Sequence, residues 1–169
     1  MRSIIAAVVL AAGAASRFGE PKQRLLLPRV LERLAETSLE DVVVVAGAHE
    51  LDPGGARLVE CLEWERGPGA SLRCGLSALT PETEAVVVCL ADGPNLAPAA
   101  VERVVTAWRD GESEVVAASY DGNRGHPVVL GRNAWDSVPD EGMRALPAVL
   151  VPCDDLGAPG DVDSPGDLA

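Results

Sequence analysis

Short, nearly uninterrupted runs of apolar and mostly β-branched residues recur along the chain, at 4–10, 42–45, 85–90, 114–118, 127–130 and 148–151. A strand with one wet face alternates polar and apolar side chains, so continuous runs mark strands covered on both faces, as in a largely parallel sheet flanked by helices. Helical patterns fill the intervals. In 98–108, Val101, Val104, Val105 and Trp108 fall at i, i+3, i+4 and i+7, with Pro98 suited to the first turn. A second pattern begins at Ser71 and places Leu72, Leu76 and Leu79 on one face, and a third, 29–36, turns Val30, Leu31 and Leu34 inward. The expectation is a three-layer α/β sandwich with a mostly parallel, Rossmann-like sheet and ligands where loops leave the carboxyl ends of the strands. With 169 residues and about 150 per domain as a guide, the chain 1–169 reads as a single domain without internal repeats. The stretch 152–169, rich in Asp, Gly and Pro, reads equally as an ordered loop or a disordered tail.

Charge narrows the function. Fourteen basic residues stand against 26 acidic ones, a net charge of −12, which repels a phosphate backbone and argues against a nucleic-acid partner. Yet the first thirty residues carry Arg2, Arg17, Lys22, Arg24 and Arg29 against Glu20 alone. A basic patch in an acidic protein suggests a small anion site. Lys22 is the one lysine beside thirteen arginines, and a compact ammonium on a flexible stem suits contact with a phosphate.

Cysteines at 61, 74, 89 and 153 form no C-x-x-C pair and read as buried reduced thiols, as in a cytoplasmic protein. His49 and His126 are isolated and offer no metal cluster. Residues 1–16 also admit a reading as a secretory signal peptide. A strand running into a glycine loop explains the same letters, and the apolar run is too short to span a bilayer.

The first strand ends in Leu10-Ala11-Ala12-Gly13, followed by Ala14-Ala15-Ser16-Arg17-Phe18-Gly19-Glu20-Pro21-Lys22. Small residues let backbone N–H groups approach a ligand, and Arg17 and Lys22 add charge at the rim, which together suit a polyphosphate. The string is neither a P-loop nor a dinucleotide fingerprint, since Gly19 is followed by Glu20 and Lys22 by Gln23. The plainer alternative is a tight strand-to-helix turn with two solvated bases. Asp92 is the first charge after the apolar residues 86–91, and Gly93-Pro94 stops that strand. A carboxylate at a strand end suits one or two direct bonds to Mg²⁺, while an aspartate turn is the alternative. Arg73 lies near the start of a helix, where it opposes the dipole, so an anion nearby would account for it; a solvent-facing arginine is the other reading. His126 has no partner at catalytic spacing and is not read as a general base.

The string 10–22 resembles the signature loop of the NTP-transferase fold, in particular of the nucleotidyltransferases that attach a nucleotide to the molybdenum cofactor: Leu-Ala-Ala/Gly-Gly, three loose positions, Arg, Met or Phe, Gly, two more and Lys. Trp64, Gly67, Ser71-Leu72-Arg73 and Gly75-Leu76 resemble a later helix-opening segment of that family. Leu90-Ala91-Asp92-Gly93-Pro94 resembles its metal-binding strand end, Gly125-His126-Pro127-Val128 its acceptor-side loop and Asp161-Val162-Asp163-Ser164-Pro165 its closing Asp-x-Asp-Thr-Pro. The resemblance implies a nucleotide bound by Leu10, Ala11, Ala12, Gly13, Arg17, Lys22, Ser71, Arg73, Gly75 and Asp92. It implies Mg²⁺ on Asp92 and Asp163, catalysis by Arg17, Lys22 and Asp92, and an acceptor side at Gly125, His126 and Pro127. Ala12 resembles the cytidylyl rather than the guanylyl branch and so favours CTP, with a phosphorylated pterin as acceptor and a molybdoenzyme as receiver of the product. The alternatives are a guanylyl or sugar-phosphate transferase, or a nucleotide- or cofactor-binding protein without turnover. One departure stands out: Pro28 runs directly into Arg29-Val30-Leu31, without the short glycine-containing turn of the family.

On this reading Lys22→Ala lowers pyrophosphate release by about two to three powers of ten, the usual loss when one contact to a charged transition state is removed. Near-full turnover in the variant, with folding checked by circular dichroism, would remove Lys22 from the site.

Overall fold

The structure is a computed structural model and describes residues 4–13 and 22–160, with the side chains of the first helix from Arg24 onward. Seven strands form one sheet: β1 (Ile4–Ala11), β2 (Val42–Ala46), β3 (Arg57–Glu60), β4 (Thr83–Leu90), β5 (Val115–Tyr120), β6 (Asn123–Gly131) and β7 (Val149–Pro152). Their order is β3-β2-β1-β4-β6-β5-β7. All neighbours pair in parallel except β6, which runs antiparallel to both β4 and β5. The expected mostly parallel sheet is therefore observed, with one reversed strand inside it.

Alternation along the central strands divides the core in two. Ala7 and Val9 of β1, Val44 of β2 and Val87 of β4 face helices α1 (Lys22–Ala35) and α3 (Pro98–Asp110), packing on Leu27, Val30, Val101 and Val104. Ala6 and Val8, Val43 and Val45, and Val86 and Val88 face helix α2 (Pro68–Leu76), packing on Leu72, Leu76 and Trp135. Both faces of the sheet are thus covered, which is why these strands read as unbroken apolar runs.

Three elements differ from the sequence reading. Helix α1 begins at Lys22 rather than at residue 29 and carries Pro28 in its interior. A proline there forfeits one helical hydrogen bond and costs about 3 kcal/mol. Continuing the helix back to residue 22 buries Leu26 and Leu27, each 1% exposed, and two such burials contribute about 1.5–3 kcal/mol apiece. Burial outweighs the proline penalty, so the missing glycine turn is replaced by continuous helix. Strand β3 escapes the apolar pattern because it is a largely exposed edge strand, with Arg57, Leu58 and Glu60 facing outward. Helix α2 starts at Pro68, three residues before the expected Ser71, with that proline in its first turn.

The reading of four reduced thiols is corrected. Cys61, just beyond β3, and Cys74, on α2, form a disulfide with Cα atoms 5.8 Å apart. Their separation of 13 residues did not reveal it, because packing of α2 against β2 and β3 is what returns the chain to the same place. Cys89 and Cys153 are free and buried as expected, but the cysteines as a set no longer argue for a reducing compartment. Among the described residues no helix is long and apolar enough to cross a membrane.

Gly75 fixes how closely α2 approaches the sheet. A Cβ at this position would lie 2.8 Å from Val45 Cγ2 and 2.9 Å from Val8 Cγ1, two stiff side chains in the middle of the core. Gly75→Ala gains up to about 1 kcal/mol of helix propensity but overpacks the core at a cost of about 1–3 kcal/mol. Chemical denaturation should therefore show net destabilisation; a more stable variant would mean that α2 sits further from the sheet.

Candidate functional site

Parallel pairing of β1 and β4 sets Leu10 opposite Leu90, and the backbone N–H of Ala91 donates to the Leu10 carbonyl at 3.0 Å. Two loops therefore leave neighbouring carboxyl ends at the centre of the sheet. One carries Ala12 and Gly13; the other carries Asp92, half-buried and followed by a turn in which Gly93 N–H donates to Leu90 O at 3.2 Å. Facing them is the first turn of α2. The three segments enclose a cleft of about 410 Å³ lined by Leu10, Ala12, Gly13, Trp64, Glu65, Gly67, Pro68, Ser71, Leu90 and Asp92.

The structure brings together Leu10, Ala12, Gly13, Ser71 and Asp92 from the residues read as nucleotide-binding. Ser71 is 3% exposed and presents a hydroxyl at the wall formed by the helix start, whose positive dipole end favours an anion. Ala11 is adjacent but belongs to the core. Arg17 and Asp163 lie outside the described residues, as does the side chain of Lys22, whose backbone opens α1. The last described residues return to the site: Asn95 N–H donates to Pro159 O at 2.9 Å, so the chain passes residue 160 beside the Asp92 turn.

Two residues are placed elsewhere. Gly75 is used for packing, as above. Arg73 lies in the last turn of α2 rather than near its start, because the helix begins at Pro68, so the dipole favours this cation and the expected reason for a nearby anion falls away. Its guanidinium donates to Val138 O at 2.7 Å and pairs with the Asp140 carboxylate. Asp140 also accepts from Arg66 at 3.1 Å. The loop around Asp140 lies directly on the first turn of α2, where Gly69 N–H donates to Asp140 O at 2.9 Å and a Cβ at Gly69 would collide with the Pro139 carbonyl. Arg73 thus helps hold the helix that forms the cleft wall instead of lining the cleft.

Sequence reasoning missed Trp64, Glu65, Gly67 and Pro68 as lining residues. Trp64 and Gly67 were visible in the family resemblance, but their role depends on the short helical turn Trp64–Arg66 meeting α2. On the acceptor side, Gly125 and His126 line two smaller cavities of about 320 and 230 Å³, whereas Pro127 is buried in β6. The pairing of β5 with β6 shifts register between Ala117 and Ser119, opposite the segment that contains Pro127. Such an irregularity at a proline turns Gly125 and His126 out of the ladder. The Tyr120 hydroxyl donates to His126 O at 2.8 Å. Cys89 lines the larger of these cavities, but burial pushes its thiol up to about 12, so it is no nucleophile at neutral pH.

The charged groups that line the cleft among the described residues are Glu65 and Asp92, both acidic. An acidic cleft beside a helix start suits a cation together with an anion, and the chemistry of a half-buried carboxylate suits a hard divalent ion. Among the described residues there is no cluster of three or more His, Cys, Asp or Glu side chains able to hold a metal alone, so any such ion would share its coordination with a ligand.

A mostly parallel sheet, helices on both faces and a cleft at the carboxyl ends of its central strands define an α/β nucleotidyltransferase fold. The sequence matches the model of the MobA-like NTP transferase domain over residues 7–152, and the chain belongs to that family. Among solved structures it is similar to Rv0371c of Mycobacterium tuberculosis H37Rv, with 26% identity, coverage of 98% of this chain and 96% of that one, and a TM-score of 0.81. The manganese complex of Rv0371c superposes with a TM-score of 0.76 at the same identity and coverage. A nucleotidyl transferase from Methanothermobacter shares the fold at 18% identity, with coverage of 98% and 94% and a TM-score of 0.76. No curated protein matches the sequence.

The Arg73 hydrogen bond, assisted by Arg66, holds the Asp140 carboxyl below the ordinary carboxylate range. A depressed folded-state pKa stabilises above the unfolded value and loses that contribution as pH falls through the folded value. The Tm gap between the wild type and Asp140→Asn should therefore be full at neutral pH and close as pH drops below about 4, the unfolded Asp value. A gap that stayed constant into strong acid would contradict this assignment.

Proposed function

We propose that the protein transfers a nucleoside monophosphate, CMP from CTP, to a phosphorylated acceptor of the molybdopterin class with release of pyrophosphate, and that it uses Mg²⁺. The observation that carries this reading is the meeting of Gly13 and Asp92 in one cleft against the first turn of α2. A backbone turn and a helix start accept phosphates, and a carboxylate beside them accepts the cation that accompanies a triphosphate.

Asp92 would hold the metal, with Asp163 as the second carboxylate. Residue 163 follows Gly160 by three positions, and Pro159 is hydrogen-bonded beside the Asp92 turn. When bound, the ion neutralises charge on the transferring phosphoryl group. The manganese complex of Rv0371c supports a divalent ion in a protein of this fold. Arg17 and Lys22 offset the charge of the phosphates, and the amides at Ala12 and Gly13 orient them. An oxygen of the acceptor phosphate attacks the α-phosphorus in line; the new P–O bond forms as the bond to the β-phosphate oxygen breaks, and pyrophosphate leaves with the electron pair. The acceptor is already an anion, so no general base is required. Catalysis is then positioning plus charge neutralisation.

Preference for CTP rests on Ala12, whose methyl lines the cleft where the guanylyl branch carries glycine. The handover of product to a molybdoenzyme and a cytoplasmic setting follow from the same assignment. A binding protein without turnover keeps the glycine loop but has no use for Asp92 at the mouth of the cleft.

Asp92→Asn should lower pyrophosphate release from CTP by about two to three powers of ten, with Tm little changed because the side chain sits at the rim. The assay uses CTP, GTP and ATP with Mg²⁺ and molybdopterin. Turnover preserved in the variant would discard the role of Asp92, and no release with any nucleotide would discard the enzyme.

A further inference from the structure

Leu90 lines the main cleft and both smaller cavities, and Leu10 and Pro68 line the cleft and the smaller of the two, so the three hollows form one trough. Arg144 lines both small cavities, opposite Gly93 in one and beside Gly125 and His126 in each. It is exposed and makes no hydrogen bond or ion pair with any of the described residues.

A second arginine holds it there. Arg144 stands on the short helical turn Met143–Ala145, and Arg124 from β6 clamps that turn, donating to Leu146 O at 2.6 Å and Met143 O at 2.9 Å. Arg124 is half-buried, and burial followed by the charge of Arg144 pulls its pKa below the ordinary arginine value. The donors of Arg124 are therefore committed to backbone, while those of Arg144 face the trough. Glu141 also lines the smaller cavity, yet among the described residues it pairs with neither arginine. Two like charges side by side in a chain of net charge −12 cost free energy in the empty protein. An incoming dianion removes that cost and meets a planar fork of donors.

We propose that Arg144 receives the phosphate monoester of the acceptor, at a point in the trough next to the Asp92 turn. This inference rests on the nucleotidyl-transfer reading and adds the acceptor subsite to it. The position suits the reaction, because the group that binds Arg144 is the group whose oxygen must reach the α-phosphorus. A guanidinium there holds the acceptor phosphate without protonating it, so the attacking oxygen keeps its charge.

The test is an NMR titration of the full chain with inorganic phosphate at constant ionic strength, following arginine Nε–Hε signals and the Gly125 amide. The Arg144 signal is assigned by its loss in Arg144→Lys. The expected result is a saturable shift of Arg144 and Gly125 with phosphate but not with chloride. In Arg144→Ala the Gly125 midpoint should rise about tenfold or more, the loss of a charge-assisted hydrogen bond, and Arg144→Lys should recover part of it. An Arg144 signal unmoved by phosphate, or a Gly125 midpoint unchanged in Arg144→Ala, overturns the subsite. A parallel titration with CTP and Mg²⁺ separates the two readings. If CTP fails to bind while phosphate still moves Arg144, the anion pocket stands and the nucleotidyl-transfer reading falls. If CTP binds and Arg144 stays silent, the pocket alone is wrong.

Discussion

The parallel ladder between β1 and β4 is the constraint on which the rest of the molecule depends. It sets Leu10 against Leu90 and continues through the hydrogen bond from Ala91 to Leu10. Because both strands run in the same direction, their carboxyl ends open at the same level and their loops enter one space. An antiparallel pair would have sent Gly13 and Asp92 to opposite ends of the strands. The same pairing places the two strands at the centre, buried on both faces, so the cleft rests on the fully covered middle of the sheet.

The opposite wall is assembled from less regular parts. Helix α2 contributes its first turn, but that turn is held by the loop around Asp140, through Gly69 N–H and the arginines at 66 and 73. The disulfide from Cys61 to Cys74 ties the same helix to the segment after β3. The floor of the cleft is therefore set by sheet hydrogen bonds, and one wall by ion pairs, a covalent link and close backbone packing. A further arginine, Arg124, plays a comparable part on the acceptor side, where it secures the turn that carries Arg144.

Most strands and helices were legible because burial on both faces leaves a pattern in each local window. The exceptions share a physical cause. Strand β3 has little core contact to write into its sequence, and α1 runs through Pro28 because distant burial of Leu26 and Leu27 overrides a local penalty. Of the residues lining the cleft, Ala12, Gly13 and Asp92 were legible since glycine loops and isolated carboxylates at strand ends carry a local signal, and Ser71 only through the family resemblance. Arg73 was misjudged, because α2 begins three residues earlier than its apolar pattern and so places this cation in the last turn, where the dipole favours it. Trp64 and Arg144 matter only through what stands across the gap from them.

The sequence by itself determined the alternation of strand and helix, the small residues that follow β1 and the carboxylate that ends β4, because each depends on neighbours within a few residues. Tertiary structure alone decided that Cys61 meets Cys74, that Arg73 is satisfied by Asp140 and that Arg144 is left facing the trough. Those outcomes depend on which surfaces come together, and contacts between residues far apart in the chain leave no periodic trace in it.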